Sequence, residues 1–285
     1  MAKIQLCAFS DESNNSFEGQ IEALKRNGLT YMELRSVDGK SVAELTVEEA
    51  QAYAKRLQEE DLAVWSIGSP LGKIRITDDV NKYYETVEHV CKLANALGTD
   101  KIRMFSFYDA YEERDKVIAY LTETVKIGKK YGVNMYHENE KGIYGDVVAR
   151  VEDVLSSVKG LKQIYDPANY LQVGETADTS LDRLHATTDY FHIKDCIQAT
   201  DEIVPAGYGD GKLDELVARI KKDTVLSVEP HLAIFKGYDK LDATPLKGKF
   251  VYESNEAAFD AAVKAIKDVL IKAGYQKTGV NVWEK

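Results

Sequence analysis

The sequence predicts a single-domain α/β fold, a (β/α)8 TIM barrel that spans residues 1–285. Eight short runs rich in β-branched and aromatic residues recur along the chain, and an amphipathic stretch of helical period follows each of them. The first run is not followed by a G-x-G-x-x-G turn, the fingerprint of open sheets that bind dinucleotides. Because barrels of about 250 residues fold around one core, the whole chain fits one such domain.

The predicted strands are runs of six or seven residues, which is too short for a typical helix. Strands that alternate with helical segments predict a parallel sheet with crossover helices. In chain order the strands are expected at residues 3–9, 30–35, 62–67, 101–106, 133–138, 161–166, 189–194 and 224–229.

The predicted helices follow the strands one by one, and several of them end at a glycine, such as Gly28, Gly98, Gly132 and Gly274. A glycine-rich run at residues 207–211 carries an acidic residue and is interpreted as a turn before the next helix rather than a phosphate loop. The helices are expected at residues 17–27, 47–59, 80–97, 112–131, 146–158, 180–186, 213–221 and 256–273.

The longest segment without a predicted helix or strand is residues 230–253, between the eighth strand and the last helix. Long loops in compact domains often serve as lids. Its aromatic and charged residues predict an ordered flap over the mouth of the barrel.

The charge and hydropathy of the chain argue against two classes of partner. A formal net charge of −10 opposes binding to nucleic acid and to acidic membrane surfaces. No run approaches the roughly 18 apolar residues of a membrane span, and the opening apolar run is too short for a signal peptide. We therefore expect a cytoplasmic protein.

Four possible metal ligands stand at the carboxyl ends of four consecutive predicted strands: Glu138, Asp166, His192 and Glu229. Each alone is as well explained by a helix cap or a solvated side chain. Together they predict a metal site, because the carboxyl ends of barrel strands meet at one mouth. Three carboxylates and one imidazole suit one divalent ion, with Mn²⁺ the first expectation and Mg²⁺, Co²⁺ or Zn²⁺ as alternatives.

Four motifs at these strand ends resemble those of the xylose isomerase-like TIM barrel family. They are HENE (137–140), YDPAN (165–169), FHIKD (191–195) and SVEPH (227–231). The family includes sugar isomerases and epimerases related to tagatose 3-epimerase, hydroxypyruvate isomerase and inosose dehydratase. The resemblance implies the same four metal ligands. It also implies proton transfer through a metal-bound enediolate, and Glu138 and Glu229 are our candidates for the catalytic acid and base.

The resemblance implies a metal-dependent isomerase or epimerase of a sugar, sugar phosphate or sugar-derived keto compound, with a small carbohydrate as substrate. Two alternatives stay open. A lyase or dehydratase acting on a keto-polyol begins with the same proton abstraction, and a non-catalytic metal- or sugar-binding barrel could keep the same ligands. A homodimer or homotetramer is also expected from the resemblance.

Further polar residues near the strand ends are candidates for substrate binding. Arg35 and Arg103 could clamp a carboxylate or phosphate, or could pair with Glu33 inside the barrel. Asn169 stands where epimerases of the family often have histidine. The full candidate set is Arg35, Lys73, Arg103, Glu140, Asn169, Lys194 and His231.

Overall fold

The structure is a computed structural model that describes residues 2–234 and 250–285. Its central feature is a closed barrel of eight parallel strands, each ending within one or two residues of its predicted position. In chain order they are β1 (Lys3–Ala8), β2 (Tyr31–Leu34), β3 (Ala63–Ile67), β4 (Lys101–Met104), β5 (Asn134–Glu138), β6 (Lys162–Tyr165), β7 (Tyr190–Ile193) and β8 (Thr224–Val228).

Each strand pairs in parallel with the next one along the chain, from β1 through β8. The last strand then pairs with the first, with Leu226 opposite Leu6 and Val228 opposite Ala8. Because no barrel strand is left at an edge, all eight carboxyl ends surround one mouth. The predicted (β/α)8 fold is confirmed.

The helices lie outside the barrel. Most of them begin at a residue whose side chain accepts a backbone N–H of the first turn, as Ser16, Thr46, Asp79 and Ser254 do. Their bounds are α1 (Phe17–Arg26), α2 (Val47–Gln58), α3 (Val80–Leu97), α4 (Arg114–Lys130), α5 (Val148–Ser157), α6 (Pro167–Gln172), α7 (Ala177–Leu184), α8 (Leu213–Ala218) and α9 (Asn255–Lys272).

Alternation of side chains along the strands divides the apolar residues into two groups. One group faces outward and packs against the helices, as Leu6, Met32 and Leu226 do. The other fills the lower interior of the barrel, below the mouth, and is rich in aromatic rings. Its members are Cys7, Tyr31, Trp65, Tyr136, Ile164, Tyr190 and Val225.

A carboxyl-terminal hairpin extends the sheet at the opposite end of the barrel from the mouth. Its strands, Gln276–Gly279 and Val282–Glu284, run antiparallel to each other, and Trp283 lies opposite Ile4 of β1. The buried amide of Asn281 donates to the carbonyl of Leu6 at 2.7 Å and accepts the Leu6 N–H at 3.1 Å. The hairpin is thereby fixed to the first strand.

Several features differ from the sequence prediction, among them two short antiparallel hairpins, Ser36–Val37 with Lys40–Ser41 and Asp195–Ile197 with Glu202–Val204. The helix expected at 180–186 is α7, three residues earlier, and both α6 and the carboxyl-terminal hairpin were missed. Of the expected flap at 230–253, residues 235–249 lie outside the described residues, while Ala233–Ile234 and Val251–Tyr252 pair in parallel. Within the described ranges, no helix is long and apolar enough to cross a membrane.

Candidate metal centre and active site

A layer of charged side chains lies directly above the aromatic interior of the barrel. Each member follows an inward-facing residue by two positions, so the same alternation turns it inward. Glu33 follows Tyr31, Glu138 follows Tyr136, and His192 follows Tyr190. All of them are buried, with exposed fractions of 1% for Glu33, 1% for Glu138 and 0% for His192. The mouth of the barrel therefore has a polar floor.

The four residues at the ends of β5 to β8 converge as their positions predicted. Glu138, Asp166, His192 and Glu229 each offer one ligand atom, and these atoms all lie within 4.8 Å of one another. His192 Nδ1 lies 2.8 Å from Glu138 Oε1 and 3.9 Å from Glu229 Oε2. The group is buried and could hold one metal ion.

Asp166 caps a helix and also belongs to this group of four residues. It is the N-cap of α6, where its Oδ1 accepts the Asn169 N–H at 3.0 Å, and Pro167 supplies the fixed φ of the first turn. Its backbone is held by the Asn139 side chain through two hydrogen bonds of 2.9 Å. Because Oδ1 faces the helix, Oδ2 is left to face the other three residues of the group. The cap and the cluster are therefore compatible.

Two buried cations lie against the carboxylates. Lys194 Nζ lies 2.8 Å from Asp166 Oδ2 and 3.1 Å from Glu229 Oε2. Arg103 donates to Glu138 Oε2 at 3.1 Å and to the carbonyl of Gly68 at 3.0 Å, and its guanidinium lies over the rings of Phe9 and Phe105. These contacts fix both cations in place.

The charges of this layer fit a divalent cation. Four buried carboxylates, Glu33, Glu138, Asp166 and Glu229, face two permanent cations, Arg103 and Lys194, which leaves two negative charges when the imidazole is neutral. Burial, together with the neighbouring carboxylates Glu229 and Glu138, raises the pKa of Asp166 to about 7, although Lys194 opposes the shift. A divalent ion would balance the charge with hard oxygen and imidazole donors.

His192 and Glu138 shift each other's pKa in opposite directions. Burial opposes a charge on the imidazole, but Glu138 and Glu33 on either side raise the pKa of His192 to about 10. Burial likewise opposes ionisation of Glu138, and His192 and Arg103 lower its pKa to about 2. The carboxylates at the site attract positive charge strongly, whether it comes from a proton or from a metal ion.

Arg35 lies at the rim and is surrounded by acids. Its guanidinium pairs with Asp11 at 2.8 Å, with Glu12 at 3.2 Å and with Glu229 at 3.4 Å. The alternative pairing with Glu33 is wrong, because Glu33 lies deeper and contacts His192 instead. His231 joins this rim cluster, with Nε2 3.1 Å from Glu12 Oε1 and 3.6 Å from Glu229.

The remaining substrate-binding candidates separate into two kinds. Lys73 and Glu140 form a partly exposed ion pair of 3.1 Å at the mouth, and Lys73 lies over the Phe105 ring. Asn169 is buried, and its amide donates to the Asn139 carbonyl at 2.8 Å. The pair is open to solvent at the mouth, whereas the Asn169 amide is engaged with the backbone of Asn139.

Sequence reasoning missed Glu33 as part of the site. Glu33 is not the last residue of its strand, and the sequence prediction considered only residues at strand ends. The signal was available in the alternation of β2, since Glu33 lies between inward-facing Tyr31 and Arg35 in steps of two. An acidic residue facing a barrel interior needs a partner, and here the partner is His192.

The glycine-rich run after β7 wraps around the carboxylate of Asp195. Oδ2 accepts the N–H groups of Gly207 at 2.9 Å and Gly209 at 3.0 Å, and Oδ1 accepts those of Gly211 at 2.9 Å and Cys196 at 3.0 Å. A Cβ at Gly209 would lie 2.4 Å from Asp195 Oδ1. The close approach requires glycine, and the carboxylate of the chain itself fills the loop. The run does lead into α8, as predicted.

Replacing Asp195 with asparagine is expected to lower the free energy of unfolding by about 2–4 kcal/mol, because the amide group leaves two of the four buried or partly buried N–H groups around the carboxylate without an acceptor. Urea unfolding measures the change. Asp201→Asn is the matched control, since Asp201 is an exposed turn residue and the same substitution there should change stability by less than about 0.5 kcal/mol. Equal effects at the two positions would contradict the role of Asp195.

Comparisons with known proteins agree with this architecture. The family profile described as "Xylose isomerase-like TIM barrel" matches residues 21–246, well over half of the chain. None of the curated protein sequences matches significantly.

Among solved structures, the chain is similar to the probable 3-DHS dehydratase AsbF involved in petrobactin synthesis from Bacillus anthracis, with 19% identity, a TM-score of 0.70, and 94% of this chain and 99% of that chain covered. It is also similar to the IolI protein with a bound zinc atom (18% identity, TM-score 0.71, coverage 94% and 99%). A third similar structure is an L-ribulose 3-epimerase (16% identity, TM-score 0.68, coverage 96% and 96%). At these identities the similarity establishes the fold.

Proposed function

The chain belongs to the xylose isomerase-like TIM barrel family, and from this membership and the site we propose that it is a metal-dependent isomerase or epimerase of a sugar, sugar phosphate or sugar-derived keto compound. The observation that carries the proposal is the convergence of Glu138, Asp166, His192 and Glu229, with ligand atoms within 4.8 Å of one another. These residues would hold one divalent ion, for which Mn²⁺ is our first expectation. The zinc atom of the IolI structure supports a divalent ion in this fold.

A divalent ion in this position acts as a Lewis acid that stabilises negative charge developing on a substrate oxygen. The protein itself supplies the groups that move the proton. Glu138 and Glu229 come from strands on different sides of the mouth, and we assign one to remove a proton beside the substrate carbonyl and the other to return one. Cationic neighbours, Arg103 and His192 for the first and Lys194 and His231 for the second, lower the pKa of both residues, so each is ionised as a base must be.

The cations at the mouth are assigned to substrate binding and charge control. Lys194 and Arg103 lie against the catalytic carboxylates, where they can hold an oxygen of the substrate that approaches the same groups. Lys73 and Glu140 lie further out and offer one donor and one acceptor to the distal hydroxyl groups of a sugar. Arg35 holds Glu229 in position together with Asp11 and Glu12.

Dehydration is the second candidate activity. The same proton abstraction leads to loss of a hydroxyl group if an acid protonates the leaving oxygen, and in this alternative we assign that role to the ammonium group of Lys194, 3.1 Å from Glu229. The similarity to the probable dehydratase AsbF is the comparison that favours this alternative.

The proposal is tested by metal binding and by deuterium exchange. Chelator-treated protein is titrated with Mn²⁺ and then incubated in D₂O with a panel of ketoses, ketose phosphates and keto-polyol acids. We expect one equivalent of Mn²⁺ and deuterium beside the carbonyl of one substrate class, detected by NMR. Glu229→Gln should retain Mn²⁺ but exchange at least about 100-fold more slowly.

The outcomes separate the candidate functions. Loss of water from a substrate identifies a dehydratase. Stoichiometric metal binding without exchange on any compound indicates a non-catalytic binding barrel, and absence of metal binding removes the mechanism altogether. Full turnover by Glu229→Gln with Mn²⁺ bound would exclude Glu229 from acid–base catalysis.

A further inference from the structure

We propose that Glu33 is a positioning residue of the metal centre: it fixes the imidazole of His192 so that Nδ1 faces the metal position, and its negative charge strengthens metal binding. The inference rests on the proposed function, since it concerns the same centre. Glu33 belongs to β2, on the other side of the barrel from the strands that supply the four ligands.

The two nitrogens of His192 have different partners. Nδ1 lies 2.8 Å from Glu138 Oε1, within the group of ligand atoms, whereas Nε2 lies 3.1 Å from Glu33 Oε2 on the far side of the ring. A nitrogen that binds a metal must present a lone pair, so a neutral imidazole carries its proton on the other nitrogen. A carboxylate only accepts hydrogen bonds, so when a metal ion takes the lone pair of Nδ1 in place of the contact with Glu138, Glu33 holds the remaining proton on Nε2.

Glu33 is itself held from the opposite side. Its Oε1 accepts the hydroxyl of Tyr190 at 3.0 Å, and that hydroxyl lies 3.3 Å from Ser66 Oγ. The His192 ring also packs edge-on against Phe9, with the ring centroids 5.1 Å apart. Both carboxylate oxygens of Glu33 are engaged, Oε2 by His192 and Oε1 by Tyr190, so Glu33 acts on the imidazole ring rather than on a substrate. Its contacts orient the imidazole and leave the ring little freedom to rotate.

The charge of Glu33 has a further consequence. Each of the three ligand carboxylates has an arginine or lysine within 4 Å: Glu138 has Arg103, and both Asp166 and Glu229 have Lys194. Among the ion pairs of the described residues, the positive partner of Glu33 is His192 alone. A buried carboxylate behind a neutral imidazole makes that imidazole a stronger donor, so its charge favours a cation at Nδ1.

The experiment measures the Mn²⁺ affinity of chelator-treated wild-type protein, Glu33→Gln and Glu33→Leu by calorimetry. Glutamine keeps the shape and an acceptor oxygen but removes the charge, so we expect roughly 10-fold weaker binding. Leucine removes both, and roughly 100-fold weaker binding is expected. Ser66→Ala is the matched control, because it alters the far end of the same buried network and leaves the Glu33–His192 contact in place.

A second measurement separates positioning from general support of the fold. In ¹⁵N-labelled, zinc-loaded wild-type protein, long-range NMR spectra should show His192 protonated on Nε2, and this signal should shift in Glu33→Gln. Glu33→Gln is nearly isosteric and tests the inference even if Glu33→Leu does not fold.

Binding of Mn²⁺ by Glu33→Gln within about twofold of wild type would overturn the inference, and the proposed function would stand. A wild-type protein that binds no divalent ion would overturn both. Weaker binding by both Glu33 variants, with Ser66→Ala unchanged, supports the inference without requiring that the substrate be known.

Discussion

Replacement of His192 by alanine is expected to weaken Mn²⁺ binding by at least about 100-fold, the upper end of what loss of a supporting residue costs, because it removes a proposed ligand outright. His192 is the single nitrogen donor of the four-residue group, and its Nδ1 lies 2.8 Å from Glu138 Oε1. The change also leaves the buried carboxylates of Glu33 and Glu138 without their shared partner. We therefore expect the free energy of unfolding in chelator to fall by about 3 kcal/mol. Metal content by mass spectrometry and urea unfolding measure the two effects.

His89→Ala is the control for this prediction. His89 lies on α3, where its ring nitrogen contacts the Leu45 carbonyl at 3.0 Å, so its loss should leave metal content unchanged. Circular dichroism establishes that each variant is folded. If the alanine variant is too unstable, His192→Gln preserves a donor toward Glu33 and should still lose the metal. A folded His192 variant with a full equivalent of tightly bound Mn²⁺ would refute the assigned ligand set.

The convergence of the four candidate ligands was predictable because the position of a residue in a barrel strand determines where it lies in space. Parallel strands that close into a barrel bring their carboxyl ends to one mouth, and alternation of two turns the correct side chains inward. Glu138, Asp166, His192 and Glu229 are up to 91 positions apart in the sequence, yet their strand ends alone indicated that they meet. This prediction did not require the order of the strands around the barrel, because all eight carboxyl ends lie at the same mouth.

Contacts that depend on side-chain reach could not be predicted in the same way. Glu33 and His192 are 159 residues apart and come from β2 and β7, which do not pair. Whether Arg35 would turn toward Glu33 or toward the loop acids Asp11 and Glu12 depends on the conformation of the loop after β1. The alternation along a strand predicts which face of the sheet a side chain lies on. It does not predict which residue that side chain will contact.

The loop after β7 illustrates a second limit. The glycines at 207–211 are evident in the sequence, but the sequence does not indicate which group their backbone N–H groups bind. Phosphate groups and carboxylates are both bound by successive backbone N–H groups. The structure shows that these N–H groups bind Asp195, three residues beyond His192 and one beyond Lys194. The loop therefore fixes the end of the strand that supplies His192.

Lys194 carries the second of the two largest expected effects. Its ammonium group bridges Asp166 and Glu229 at 2.8 and 3.1 Å, and it is 6% exposed. Lys194→Met keeps most of the side-chain volume but removes the ammonium group that pairs with Asp166 and is the nearest cation to Glu229. In chelator, the free energy of unfolding should fall by about 3–5 kcal/mol. Mn²⁺ offers the charge that was lost, so it should stabilise the variant more than it stabilises wild type. Urea unfolding with and without Mn²⁺ measures both quantities.

Lys73→Met provides the comparison, because Lys73 forms a partly exposed ion pair with Glu140 near the same mouth. Removing that exposed charge should cost less than about 1 kcal/mol and should leave the response to Mn²⁺ as in wild type. If Lys194→Met is as stable as wild type in chelator and gains no more from Mn²⁺, then the ammonium group does not share these carboxylates with the metal. A large loss that Mn²⁺ restores would instead show that lysine and metal balance the same two negative charges, so that metal affinity depends on Lys194 as well as on the four ligands.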